Sequence, residues 1–185
     1  MFTRTKAKLC DICTISSGAY LHEPAGNEVC YLQVSDLYNE SFCDKSKRIA
    51  YRPQLDGYLL QRRDVLLVCK GASFKCRVYD CEHWAIASTS FLVLRITCSH
   101  ILPEYLCWYL NHPRTVDIIH SRQEGSGTPM IRKADIEDLL ISIPDLERQR
   151  EIIRLSELSQ RETELMKEIT TRKELLMNHI LYKAL

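Results

Sequence analysis

ERQREIIRLSELSQRETELMKEITTRKELLMNHILYKAL, Glu147 to Leu185, is the stretch that decides the architecture. Leu155, Leu158, Leu165, Ile169, Leu176 and Ile180 recur at spacings of three, four and seven, which places them on one stripe of a helix. At ~1.5 Å per residue that helix is a rod of roughly 55 Å. A rod of that length overhangs the domain before it, so the stripe is expected to pack on another helix. The competing arrangement folds the helix back along its own domain. It is the weaker one, because a lone helix needs tertiary packing along its whole apolar face. The arm carries eight Lys/Arg and seven Asp/Glu, with Glu157–Arg161 and Glu168–Arg172 four apart in the favourable order. The apolar line is interrupted near Glu162 and Arg172, breaks that can set register in a coiled coil.

Upstream of the arm the period changes from that of a helix to that of strands. Glu28 to Ser35 alternates, with Cys30, Leu32 and Val34 on one face and Tyr31, Gln33 and Ser35 on the other, predicting a half-buried strand. Val65-Leu66-Leu67-Val68-Cys69 is an apolar run short enough for a buried strand. Phe74, Cys76 and Val78 then alternate with Lys75, Arg77 and Tyr79, which predicts the last three on one face. Trp84–Ala87 and Phe91–Ile96 read as further strands, and Lys8–Ile15 as a short strand or turn. Pro53 to Gly57 is a turn. Pro103 opens a helix through Asn111, His112-Pro113 ends it, and a second helix runs to about Arg122. After a Gly-rich segment, Lys133–Asp138 makes a helical turn or two and Leu139–Ile143 a last strand. Asp145 is then placed to cap the long helix. The expected class is α+β: a compact β-rich domain with short helices over 1–146, followed by one long coiled-coil-type C-terminal helix over 147–185.

Net charge is +1, so any nucleic-acid binding has to come from locally arranged charge. The nine cysteines are odd in number and no signal-type segment opens the sequence, which predicts a cytoplasmic chain with reduced thiols. No apolar run approaches ~18 residues, so no membrane span is expected.

Two groups of residues are suited to phosphate and base edges. Gln123-Glu124-Gly125-Ser126-Gly127-Thr128-Pro129 lies between Arg122 and Arg132-Lys133, and a Gly-rich segment flanked by cations allows close approach to a nucleic-acid backbone. It lacks the Lys-Ser/Thr of a nucleotide-binding loop. Lys70, Lys75 and Arg77, with Tyr79 interleaved and Arg62 and Arg63 nearby, form the second group. Apart from the first group they read as a solvated face; only juxtaposition would make a groove. Cys10-x-x-Cys13 is half of a zinc pattern, but Cys76, Cys81 and His83 lack the tight pairing of a second half, so no metal is expected. Cys107, His112 and His120 sit in no nucleophile motif, and no cofactor fingerprint is present.

Several segments, in order, resemble one half of a type I restriction-modification specificity subunit. They are Leu9-Cys10-Asp11-Ile12-Cys13 with Ile15 and Gly18; Tyr31 to Leu37; Asp64 to Ala72; and Ile101 to Leu110 around Pro103-Glu104-Tyr105-Leu106. Gly127-Thr128-Pro129-Met130-Ile131 to Pro144, and Leu146 to Ile153 opening the spacer helix, complete the set. Family members usually carry two target-recognition domains and two spacer helices, whereas this chain carries one of each.

The resemblance implies a sequence-specific DNA-binding specificity subunit that reads one half-site of double-stranded DNA and docks modification (methyltransferase) and restriction subunits. It implies no catalysis by the chain itself and no cofactor. The expected DNA-binding residues are Arg122, Gln123, Ser126, Thr128, Arg132 and Lys133, then Lys70, Lys75, Arg77 and Tyr79. The six apolar residues of the helix stripe are the expected homodimer interface, since two half-sites need a rigid ruler and two-fold symmetry supplies one. Two other readings remain open at this point: an orphan half-subunit acting through its helix without reading DNA, and a small cysteine-dependent enzyme.

Overall fold

Val65-Leu66-Leu67-Val68 forms strand β5 with every residue buried, as a short apolar run predicts. It pairs antiparallel with β8 (Phe91–Ile96) on one side and with β6 (Cys76–Val78) on the other. With β2 (Cys13–Ser17) they make a four-stranded sheet in the order β2-β8-β5-β6. The computed structural model describes residues 5–21, 25–39, 42–71, 74–122 and 130–183.

A second sheet has the order β4-β3-β7, with β3 (Ala25–Leu32) between β4 (Lys47–Ile49) and β7 (Ala85–Ala87). β3 was expected to be half-buried; instead both faces are covered over Val29–Leu32, while its first half is largely exposed. Cys30 and Leu32 pack with Leu66, Val68, Tyr79 and Phe91, while Val29 and Tyr31 pack with Ala19, Ile49, Leu55 and Ile86. Tyr31 tolerates burial because its hydroxyl donates to the Ala19 carbonyl at 2.9 Å. Val34 lies outside the strand in a 3-10 turn, Val34–Tyr38, where the Asp36 carboxylate accepts the Gln33 amide at 2.7 Å. Pro53–Tyr58 is likewise a 3-10 helix where a simple turn was expected.

The span Lys8–Ile15, expected to be a short strand or turn, is divided among three elements. β1 (Thr5–Lys8) pairs with β9 (Leu140–Ile143), helix α1 (Leu9–Ile12) makes one turn, and β2 then enters the four-stranded sheet. The turn forms because Asp11 accepts the Lys8 amide while Leu9 and Ile12 both point into the core. Gly18 is required by contact: a Cβ there would lie 2.1 Å from the Ser88 carbonyl oxygen.

Helices α2 (Pro103–Asn111) and α3 (Pro113–Ser121) follow the sequence reading, with proline opening each. Tyr105 and Tyr109 of α2 donate to the carbonyls of Ser142 and Leu140, joining the helix to β9. Helix α4 (Lys133–Ile136) precedes β9, and α5 (Leu146–Lys183) begins where Asp145 accepts the Arg148 amide at 2.8 Å, the expected cap.

The chain divides into two compact units, Met1–Gln149 and Arg150–Leu185. The first turn of α5 belongs to the first unit because Gln149 is fully buried there. Its amide nitrogen donates to the carbonyls of His100 and Pro144, and its oxygen accepts the Leu102 amide, each at 2.8 Å. In the second unit the whole predicted stripe is exposed: Leu155, Leu158, Leu165, Ile169, Leu176 and Ile180 are each 41–62% accessible. Glu168 pairs with Arg172 at 2.5 Å as expected, but Arg161 pairs with Glu164 at 3.6 Å, one turn ahead, rather than with Glu157.

The thiols are not all free. Cys43 and Cys81, 38 residues apart, form a disulfide across a Cα–Cα distance of 6.6 Å. Sequence spacing carried no sign of it, because the turn at Cys43 and the loop before β7 meet only in the folded chain. No described helix is long and apolar enough to cross a membrane.

Candidate nucleic-acid interface

Of the second cationic group of the sequence, Lys70 alone is brought to the flanks of the first, through the β5–β6 turn. Lys70 forms an antiparallel bridge with Met130, and the Ile131 amide donates to the Cys69 carbonyl at 2.8 Å. The outgoing end of β5 is therefore paired with the exit of segment 123–129. On the other side of the same turn, the Phe74 ring packs against His120 at 4.8 Å between centroids, next to the entry of that segment. Gly71 carries φ +115, a conformation in which a side chain is strained, and this lets the chain turn between the two contacts.

Asp135 holds both flanks. Its carboxylate accepts the Arg132 amide at 2.6 Å, capping α4, and lies 3.4 Å from the Arg132 Nε. Its carbonyl accepts Nη1 of Arg122 at 3.1 Å. Asp135 is itself buried. It was not singled out from the sequence, although a carboxylate three residues after Arg132 is a recognisable capping position.

Arg122, Arg132 and Lys133 are exposed, Arg132 with its side chain 56% accessible. Lys70 is exposed and its Nζ reaches the Thr89 hydroxyl at 3.4 Å. Lys70 is thus placed beside Met130, and Arg122, Arg132 and Lys133 lie at the two described ends that flank 123–129. Gln123, Ser126 and Thr128 lie outside the described residues.

Lys75, Arg77 and Tyr79 are used differently. Lys75 sits 4.7 Å from the Tyr38 ring centroid. Arg77 is half-buried: its Nη1 donates to the carbonyls of Leu37 and Asn39, both at 2.8 Å, and its guanidinium lies 4.4 Å over Phe42. Tyr79 does not share an exposed face with them. β6 ends at Val78, so the alternation stops one residue short, and Tyr79 turns inward to 1% exposure. Its hydroxyl donates to the His83 carbonyl, and burial pushes its ionisation up to about 12. Of the neighbouring arginines, Arg62 pairs with Asp80 at 2.5 Å and Arg63 with Glu104 at 3.0 Å.

The residues that suggested other chemistry have structural positions. The Cys107 thiol donates to the Cys76 carbonyl at 3.0 Å. Burial pushes the Cys76 thiol well up, and the hydrogen bond with Cys107 adds to this. Cys13 is pushed up to about 12 by burial and donates to the Leu9 carbonyl. Nδ1 of His112 accepts the Arg114 amide at the start of α3. Cys81, one of the three residues weighed as a second half of the zinc pattern, is bonded to Cys43. Among the described residues no group of three or more His, Cys, Asp or Glu is placed to hold a metal ion.

Comparison with curated protein sequences finds no match. Solved structures do match. A type I restriction-modification system structure, described for its complex assembly and conformational transition, aligns at TM-score 0.69 and 19% identity over 96% of this chain and 43% of that one. The HsdS subunit from Thermoanaerobacter tengcongensis aligns at TM-score 0.62 and 18% identity, over 86% of this chain and 38% of that one. The S subunit from M. genitalium aligns at 0.57 and 15%, over 86% and 40%. At these identities the likeness is one of fold, and the chain spans about two fifths of the length of each. The family model described as the type I restriction modification DNA specificity domain matches residues 4–175, nearly the whole sequence. The chain belongs to that family of specificity domains.

Proposed function

We propose that this chain is the DNA-reading half of a type I specificity subunit: one target-recognition unit that reads one half-site of double-stranded DNA, and one spacer helix. The observation that carries the reading is the convergence of Lys70, Arg122, Arg132 and Lys133 around the turn at Gly71 and the two flanks of segment 123–129. Cations fixed by backbone pairing set register on phosphates, which leaves adjacent polar side chains to meet base edges. Gln123 is suited to adenine and the arginines to guanine. Lys75 and Arg77 contribute second, since both already hold neighbouring groups.

The chain itself performs no catalysis in this reading. Methyl transfer and cleavage belong to modification and restriction subunits docked on the assembly. The exposed stripe of α5 pairs with the α5 of a second copy, which spaces two readers by two-fold symmetry.

Selection from a random DNA pool, with and without a cognate modification subunit, tests the proposal. A short enriched motif, bipartite with fixed spacing when the helix pairs, is the expected result. Binding that rises steeply as salt is lowered identifies phosphate contacts. Failure to enrich any sequence in either condition, with α5 still pairing, overturns DNA reading. The chain would then be an interaction protein working through its helix, a role that its net charge of +1 and exposed apolar stripe also suit.

A further inference from the structure

Residues 34–39 and 42–46 are fastened from several directions onto β6 and the chain that flanks it. Arg77 holds them through the Leu37 and Asn39 carbonyls and by lying over Phe42. Lys75 lies over Tyr38. His83 and Asp44, both well exposed, pair at 3.4 Å. Beside that contact runs a covalent tie, Cys43 to Cys81. Cys43 is buried, at 3% exposure, and Cys81 is half-buried; both border an open cleft of about 390 Å³ with Asp44, Arg77, Asp80 and His83.

We propose that Cys43–Cys81 is a reversible thiol–disulfide site, reduced by a low-molecular-weight thiol, that fastens this segment across β6. The inference is independent of DNA reading. Cys81 is the more exposed partner, so its sulfur is the one attacked. A small-molecule thiolate attacks it, the Cys43–Cys81 bond breaks, and Cys43 leaves as a thiolate that takes up a proton. A second small thiolate attacks the small-molecule sulfur of the mixed disulfide, releasing Cys81 as a thiolate that is protonated in turn. Two electrons pass from two small thiols to the cysteine pair, and the small-molecule disulfide is the other product.

Reversibility follows from the fasteners that remain. Arg77 holds the Leu37 and Asn39 carbonyls and lies over Phe42 without the disulfide, so after reduction it keeps the two thiols close. Re-formation is then effectively intramolecular. The segment loosens on reduction without leaving the sheet.

The test equilibrates the full chain in buffers of defined reduced-to-oxidised glutathione ratio, quenches with acid, alkylates and maps the cysteines by mass spectrometry. Cys43 and Cys81 are expected to pass together from linked to alkylated in one transition, and to return when the ratio is reversed. Amide exchange in 34–39 and 42–46 is expected to quicken by about tenfold or more on reduction, as for loss of a local tie, while Val65–Val68 is unchanged. A bond that never forms overturns the proposal, as does one that resists reduction until the chain unfolds, or one whose reduction leaves exchange in the segment unaltered. A Cys43→Ser/Cys81→Ser double variant should show the faster exchange at every ratio. Should it fail to fold, the titration of the native chain decides alone.

Discussion

Leu66 and Leu165 are the same residue type in two units and meet opposite fates: the first is fully buried in β5, the second 41% exposed on α5. The contrast extends to polar groups. In the first unit, buried Asp64 is satisfied by two nitrogens of Arg95 at 2.7 and 2.9 Å and by the Gln61 amide at 2.8 Å. Gln149 uses three hydrogen bonds in the same way. In the second unit the side chains make helix-local bonds, such as Thr163 to Ser159 and Arg172 to Glu168. A unit whose buried polar groups are paired internally can hold its fold alone. A helix whose apolar stripe faces solvent from Leu155 to Ile180 has its stabilising surface still to be covered.

The largest expected effect breaks the first side of this comparison. Asp64→Ala leaves the Arg95 guanidinium without its carboxylate and the Gln61 amide without its acceptor. Because Arg95 is 37% exposed, the loss sits at the low end of the range for broken buried pairs, about 3 kcal/mol. Urea denaturation should show the fall in midpoint with little change in slope. An unchanged midpoint would mean that Arg95 and the Gln61 amide find water at no cost.

Next comes the second side. Leu165→Asp places a charge in the middle of the exposed stripe and is expected to weaken self-association by about a hundredfold, near 3 kcal/mol, if two α5 helices pair. Removing 150–185, which leaves the buried Gln149 in place, should abolish the dimer. Light scattering across a concentration series checks both. The Asp64 variant should associate normally in its folded fraction, and the Leu165 variant should keep the native urea midpoint of the first unit. A native chain that stays monomeric at high concentration would sink the helix-pair proposal.

How much was legible follows the same division. The arm was read closely, because a 3.6-residue period and a capping Asp145 are local properties of the sequence. β5, α2 and α3 were equally local, set by an apolar run and by two prolines. What escaped depended on distant chain. Tyr31 looked outward-facing until Ala19 and Ile86 covered it, and Tyr79 looked accessible because period two cannot say where a strand stops. Arg77 resembled Lys70 in the sequence. Only the fold sends one to the carbonyls of Leu37 and Asn39 and the other to the border of segment 123–129.

Asp135 tests whether that border is built or incidental. Asp135→Ala removes the α4 cap and the carboxylate beside Arg132, an expected loss of about 2 kcal/mol in stability. If the pinned flanks matter for DNA, affinity should fall by more than the population of unfolded chain explains, with the salt slope reduced as Arg132 loses its fixed position. Equal affinity after correcting for stability would assign Asp135 to the fold alone.

The smallest effects separate Lys133 from Arg77. Lys133 is exposed at the head of α4, and its loss should leave stability within about 0.5 kcal/mol, as for an ordinary surface position. In the proposed reading it faces phosphate, so Lys133→Ala should lower the slope of log affinity against log salt by about one, and weaken binding alike on every sequence. Arg77→Ala should do the reverse. It deletes two hydrogen bonds to backbone carbonyls and a stacked guanidinium, which should cost stability on the order of 2 kcal/mol and leave the slope nearly untouched. If instead Arg77→Ala lowers the slope and Lys133→Ala does not, the DNA lies along β6 and the segment held by Arg77 must move aside to admit it. The interface would then be on the opposite flank of the β5–β6 hairpin from the one proposed.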